Sequence, residues 1–337
     1  MSNLYESLHT HTVISDGKFT HLDILNMAPK YNIGIVAFTD HDILPDKKIL
    51  KVLEKNRNHQ TKWIIGAEFT SNLPKELNKK KQTRLHILGL FLDPFNKDLR
   101  AYSDHLLFGR VIRIKKRIKH LQDLGFDISY KDCSRTSPGA ITAPHLVKAL
   151  MNKEKNVQLI DLWVKKMSQE SQNNLAARKI HQELLKTPKI QYPYLLFKSQ
   201  ASQSGDQDNP YLLDLDKTVS LIRGAGGIAS LAHWTFTKEV FTLKDIEKMF
   251  RENRLDGGEI VFGSGQCHAV NREITSDMRL MNNLIITHKK IPTGGPDMHL
   301  EEDLAYFSSR KLLREKTIGL TQNIIDKTNV NIKFSSL

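Results

Sequence analysis

Residues 3–17 read NLYESLHTHTVISDG: a short strand-like run closes on His9 and His11, one residue apart, and is followed by Asp16 and Gly17. The same grammar recurs along the chain. GIVAFT runs into Asp40 and His41 (FTDHD), KWIIGA into Glu68 (GAEFT), and RLHILGLFL carries His86. GIASLA precedes His233 (SLAHW), GGEIVF carries Glu259, and a weaker run in NLIITHKKIPTGG precedes Asp297 and His299 (GGPDMH). Between these runs lie helical patterns: HLDILNMAPKY, DKKILKVLEKN, DKTVSLIRGAG, LKDIEKMFREN and HAVNREITSDMRLMNNL. Strand and helix in alternation predict βαβ units and a mainly parallel sheet of about seven strands, closed into a barrel or left open. In a parallel barrel the carboxyl ends of all strands share one rim, where sites are built, so residues spread over most of the chain are expected to converge.

The alternation breaks between about 96 and 210, where the sequence is mostly helical and ends in the polar stretch SQASQSGDQDNP. Because the βα pattern then resumes, this segment reads as an insertion into one domain. The expected division is 1–95 and 211–305 for the two parts of the α/β domain, 96–210 for the insertion, and 306–337 for a C-terminal helix and tail. Charge follows the same boundary. The net charge is +13, yet residues 101–200 alone hold 18 Lys and Arg against 8 Asp and Glu. Basicity confined to one block suggests an anionic partner, phosphates first, although a solvated lysine-rich surface has the same composition. Within LLFGRVIRIKKRIKHLQDLG, Leu107, Val111, Ile114, Ile118 and Leu121 form one helical face, bordered by Arg110, Arg113 and Arg117, with Lys115, Lys116 and Lys119 opposite. Arginines at the edge of a packed face suit bidentate phosphate contacts or structural ion pairs.

No apolar run reaches the ~20 residues of a membrane span, and the N-terminus lacks a basic-then-apolar leader, so a cytoplasmic protein without membrane partners is expected. Cys133 and Cys267 are the only cysteines, which leaves histidine and carboxylate as metal ligands. Imidazole with carboxylate suits zinc, manganese or iron, and more such ligands than one ion needs point to a multinuclear site of the kind that hydrolyses phosphoesters. Taken singly, each residue has a plainer reading. His86 fits a hydrogen-bonded core histidine, Glu68 a lysine partner, Asp297 a helix cap; Asp40, Asp42 and Glu259 fit supporting roles. The set, placed at successive strands, is what favours metal chemistry.

In order and spacing, HTHTVISDG, FTDHD, GAEFT, HILGLFLD, SLAHW and GGPDMH resemble the motifs of the PHP (polymerase and histidinol phosphatase) superfamily, over residues 1 to about 95 and 215 to about 305. The resemblance implies a distorted (β/α)7 TIM-like barrel with three divalent ions. His9, His11, Glu68 and Asp297 would hold the first ion; Glu68 with His86 and His233 the second; Asp16, His41 and His299 the third. It also implies a trinuclear-metal hydroxide mechanism in which His9, His11, Glu68, His233 and Asp297 are catalytic, His233 or Asp297 also serving proton transfer. The chain looks most like the stand-alone nucleotide phosphoesterases of that superfamily, which carry a helical insertion after the fourth strand. They remove the 3′-phosphate of nucleoside 3′,5′-bisphosphates or trim short RNA from its 5′ end, as an exonuclease does. The implied partner is therefore a phosphorylated small molecule, a nucleotide or an RNA end.

Two departures stand out. The family's arginine before Pro-His in the insertion is Ala143 here, in ITAPHLV, leaving His145 as a phosphate contact or a packed residue, and the final Gly-Ser-Asp becomes Gly295-Pro296-Asp297. Other classes remain on the sequence alone: a histidinol-phosphatase-like enzyme, which the basic insertion disfavours, and a nucleic-acid-binding protein around a structural metal core. A polymerase-associated module would need a polymerase in the same chain.

Overall fold

Seven strands form one sheet in the order β1 to β7: β1 (Tyr5–Ser7), β2 (Ile33–Phe38), β3 (Lys62–Asn72), β4 (Arg84–Leu90), β5 (Ile228–Leu231), β6 (Gly257–Phe262) and β7 (Ile291–Gly295). This computed structural model describes residues 4–77, 84–135, 141–200, 209–263 and 271–337. Cys267 and most of the SQASQSGDQDNP stretch lie outside the described residues. Past the end of β1, Leu8 donates its N–H to Gly294 O at 3.1 Å, and Thr10 pairs with Met298, so the first strand meets the last as well as the second. The β3 run is buried along nine of its eleven residues, as expected of a strand packed on both faces.

The helices begin where the sequence supplies caps. Helix α1 (His21–Met27) starts at Thr20, whose hydroxyl and Asp23 exchange bonds in a capping box, and α2 (Lys47–Lys55) starts at Asp46. Further on come α3 (Lys97–Asp123), α4 (Tyr130–Ser134), α5 (Ala143–Met151), α6 (Glu154–Glu170), α7 (Leu175–Leu184) and α8 (Tyr192–Gln200). The sheet's later crossovers use α9 (Leu215–Gly224), α10 (Leu243–Arg251) and α11 (Asn271–Thr287), and the chain closes with α12 (Glu301–Ser309), α13 (Lys311–Glu315) and α14 (Leu320–Lys327). Two compact units result: Met1–Leu106 with Tyr211–Leu337, and Leu107–Pro210. The first has a core of Leu, Ile, Val and Phe from sheet and helices, and the second its own, around Ile114, Ile118, Leu146, Leu150 and Ile160. Among the described residues no helix is long and apolar enough to cross a membrane.

The sheet is mainly parallel, as expected, with β4 running antiparallel to both β3 and β5. Only eleven residues separate β3 from β4, and a parallel pair needs a longer return path. Glu68 does not end its strand: β3 continues to Asn72. NLIIT belongs to the end of α11, and the last strand is only IPTGG. After residue 306 the chain forms more than one helix, because Gly319, in the left-handed region at φ 77°, starts α14 afresh.

The final helix is tied to the first strand by a buried charge. The Glu6 carboxylate accepts the Gly319 N–H at 2.9 Å and the Thr321 N–H and hydroxyl, each at 2.6 Å. Replacing Glu6 with alanine leaves these donors unpaired and is expected to cost about 2–3 kcal/mol. A lowered urea midpoint checks this, with Glu6→Gln recovering part of the loss; an unchanged midpoint contradicts it.

Candidate metal centre

Glu68 is fully buried in β3, and five imidazoles converge on its carboxylate. Oε1 lies 2.9 Å from His86 Nδ1, 2.8 Å from His233 Nε2 and 3.5 Å from His9 Nε2. Oε2 lies 2.7 Å from His41 Nδ1 and 3.4 Å from His11 Nε2. Local backbone delivers each ring. His9 and His11 sit just past β1, and His11 N–H and His9 O bond to Met298 O and N–H, which stitches the first loop to the last. His41, just past β2, is bridged to Glu68 through main-chain bonds of its neighbours: Asp42 N–H to Glu68 O and Glu68 N–H to Asp40 O. His86 is the third residue of β4. Because that strand is reversed, its beginning lies at the same rim as the ends of its neighbours, and Thr70 is its register partner. His233 follows β5, and Asp297 and His299 follow β7.

Close approach of backbones fixes two of these loops. A Cβ on Gly17 would lie 2.3 Å from His11 O, and one on Gly295 2.7 Å from the His9 nitrogen, so only glycine fits either position. His233 (φ 26°) and Asp297 (φ 52°) hold left-handed backbone that non-glycine residues rarely adopt, the latter directly after Pro296. Such strain in two of the candidate ligands is typical of residues held for chemistry.

The donor atoms group by distance. His9 Nε2, His11 Nε2, Glu68 and Asp297 Oδ1 are mutually separated by 3.1–3.5 Å in the measured pairs. Two ligands on one tetrahedral ion with bonds of ~2.1 Å lie about 3.4 Å apart, so this spacing suits a shared ion. A second gathering comprises His11, Asp16, His41 and His299, with His299 Nε2 3.4 Å from Asp16 Oδ1 and His41 Nε2 3.7 Å from Asp16 Oδ2. His41, Glu68 and His86 form another group, and His9, His233 and Asp297 a fourth. All nine residues named from the sequence therefore meet in one cluster. Distances alone link His41 to Glu68 and His11 to Asp16, beyond the sets that the family pattern implies.

Charge makes the cluster fit for cations. Burial works to raise the pKa of Glu68, Asp16 and Asp297, yet the surrounding imidazoles outweigh it and hold all three well down in the ionised form. One buried and two partly buried carboxylates need compensating positive charge. In the protein alone protons on imidazoles supply it: burial opposes this, but Asp16 and Asp297 lift His299 to about 10, and His9 is raised by Asp297, Glu259 and Glu68. His11 goes the other way, pushed down to about 3 by burial and by His299 and His41. Glu68 Oε2 and Asp16 Oδ1 are buried without accepting a hydrogen bond. Divalent ions would satisfy these orphan oxygens and the charge demand at once.

The insertion residues belong to the second unit. On α3, Ile114, Ile118 and Leu121 are buried, Lys115, Lys116 and Lys119 are exposed, and Arg110 is buried while Arg113 and Arg117 are half-buried. The Arg117 guanidinium lies over the Phe197 ring at 5.0 Å, and burial with the neighbouring Arg113 lowers it to about 10. His145 is engaged at the start of α5, its Nδ1 2.9 Å from the Thr142 hydroxyl and 3.0 Å from the Thr142 nitrogen, so it serves the helix cap.

A second layer of carboxylates holds the ligands. Glu259, in the middle of β6 and not at its end, lies 3.0 Å from His9 Nδ1 and accepts the His233 N–H at 2.6 Å. Asp40 gathers the first loop by accepting from the Thr12 N–H (2.7 Å), the Thr12 hydroxyl (2.9 Å) and the Ser15 hydroxyl (2.6 Å); burial raises it to about 6. Asp42 takes the Thr70 N–H and hydroxyl, and Asp303, not Asp297, caps α12 through the His299 and Leu300 N–H groups. On the sequence Glu259 fits a structural or a supporting role, and its partner His9 lies 250 positions away. Loss of a carboxylate behind a ligating histidine typically weakens metal binding 10–100-fold. Glu259→Ala is expected to shift metal titrations by that factor with the folded spectrum retained, and unchanged affinity contradicts the assignment.

Over 300 residues, 88% of the chain and 94% of the relative, the sequence is 22% identical to the phosphoribosyl 1,2-cyclic phosphate 1,2-diphosphodiesterase of Eggerthella lenta. Its fold is similar to that of a candidate metal-dependent phosphoesterase from Bifidobacterium adolescentis (TM-score 0.59, 18% identity, 88% of each chain). It is also similar to an amidohydrolase from Chromobacterium violaceum with bound sulfate and no metal (TM-score 0.61, 19% identity, 89% of each chain). Residues 7–211 match the PHP domain. The chain belongs to the PHP domain family.

Proposed function

We propose that the chain hydrolyses phosphoesters of ribonucleotides, removing the 3′-phosphate of nucleoside 3′,5′-bisphosphates or trimming short 5′-phosphorylated RNA, with three divalent ions of manganese, zinc or iron. The observation that carries the reading is the gathering of nine histidine and carboxylate side chains, buried Glu68 among them, into one cluster. On this reading His9, His11, Glu68 and Asp297 hold one ion, Glu68, His86 and His233 a second, and Asp16, His41 and His299 a third. Bound there, such ions supply an activated water and neutralise the phosphoryl oxygens. The chain's own residues position the rest: Glu259 orients His9, Asp40 sets the loop bearing His11 and Asp16, and His233 or Asp297 moves a proton. Arg110, Arg113 and Arg117 contact the anionic substrate.

An aromatic ring beside the centre supports a base-bearing substrate. Phe236 is 57% exposed, its ring 5.3 Å from that of His233 and 5.7 Å from that of Phe262. An exposed phenyl beside a ligating histidine is an apt surface on which a nucleobase can stack, an interaction worth ~1–3 kcal/mol per base. A second reading, a phosphodiesterase of a ribose cyclic phosphate, is favoured by the name of the Eggerthella lenta relative.

The test is hydrolysis with manganese of adenosine 3′,5′-bisphosphate, 5′-phosphorylated oligoribonucleotides, phosphoribosyl 1,2-cyclic phosphate and histidinol phosphate. Preference for either of the first two is expected; preference for the cyclic phosphate selects the second reading, and preference for histidinol phosphate rejects both. Phe236→Ala is expected to raise KM for the bisphosphate about tenfold, and to leave KM for the base-free cyclic phosphate unchanged. Arg113→Ala with Arg117→Ala is expected to raise KM for nucleotides without changing metal content; an unaffected KM rejects the arginine assignment.

A further inference from the structure

Away from the metal centre, a cavity of about 470 Å³ opens between α2, the start of β3, Phe95 and the turn Ile332–Phe334. Its floor is Leu50, Trp63, Ile65, Phe95 and Phe334, with the Phe95 and Phe334 rings 5.7 Å apart. Trp63 is five residues before Glu68, about 16 Å along the strand, so this space is separate from the ligand cluster. The rim is cationic. Arg57 is neutralised by Glu54, with both contacts at 2.9 Å, and holds the Ser335 and Lys333 carbonyls. That leaves Lys47, Lys51 and Lys333 exposed, with no carboxylate in ion-pair range among the described residues. Three uncompensated ammonium groups around an apolar floor are complementary to an amphipathic anion.

A second observation points the same way. Trp63 is only 3% exposed, lines the cavity and lies under the Arg57 guanidinium at 5.6 Å. The indole ring thus serves as a fixed aromatic wall of the cavity. The volume falls in the range of small-molecule sites, which combine an apolar lining with a few convergent polar groups.

We propose that this cavity binds an organic anion with a flat, apolar body, the body lying on Trp63, Phe95 and Phe334 and the charged end facing Lys47, Lys51 and Lys333. Its ligand class is an aryl carboxylate, sulfonate or phosphate ester. The proposal is independent of the substrate reading, since no residue of the cavity belongs to the ligand cluster.

The probe is 2-naphthalenesulfonate, which the phosphoesterase activity cannot consume, titrated calorimetrically into the metal-loaded protein and followed by tryptophan fluorescence. The expected result is one site per chain that binds the sulfonate at least about tenfold more tightly than neutral 2-naphthalenemethanol or inorganic sulfate. Lys51→Ala is expected to weaken it about threefold to fivefold, and Phe334→Ala about tenfold. Lys51→Ala lies on the exposed surface of α2 and leaves the urea midpoint in place. Sulfonate affinity equal to that of the neutral analogue, or unchanged in Lys51→Ala and Phe334→Ala, overturns the proposal.

Discussion

The interaction on which the rest depends is the burial of one carboxylate, Glu68, among five imidazoles. A glutamate with no exposed surface is tolerated only when its charge is matched, and here the matching groups arrive from β4 and from the loops after β1, β2 and β5. Asp16 and Asp297 add two more charges, both partly buried, so the cluster as a whole demands cations. Protons on histidine meet that demand in the bare protein. Metal ions meet it better, because each of them can take several of these oxygens and nitrogens together.

The fold is arranged to honour that constraint. A reversed β4 lets His86 enter from the beginning of its strand while its neighbours offer residues at or beyond their ends, and Thr10 with Met298 joins the first loop to the last. Glycine at 17 and 295 allows backbones to pass within a distance that a Cβ would block. Behind the ligands, Glu259, Asp40 and Asp42 convert loops into fixed supports by accepting backbone N–H groups.

Much of this was legible in the sequence because strand periodicity and polar strand ends leave a one-dimensional trace. GIVAFT, KWIIGA and GIASLA announce strands, and the runs between them announce helices. The direction of β4 was less evident, since period-2 patterning carries no sign; only the short β3–β4 connection betrays it. Pairings across long separations, such as Glu259 with His9 or Glu6 with Thr321, are set by tertiary approach and leave no spacing signal. His145, read from the sequence as a phosphate contact or a packed residue, has its Nδ1 at the start of α5 beside Thr142, a local pairing that the sequence does not announce. The cavity lined by Trp63 and Phe334 joins residues about 270 positions apart and could not be seen in the sequence at all.

The most direct test of the central claim is the metal stoichiometry of the purified protein set beside that of Glu68→Gln, which keeps the shape of the side chain and removes its charge. The account predicts bound divalent ions in the wild type, loss of the ions that Glu68 shares, and loss of hydrolysis in a protein that remains folded. A Glu68→Gln protein with the wild-type metal content and undiminished hydrolysis would contradict it.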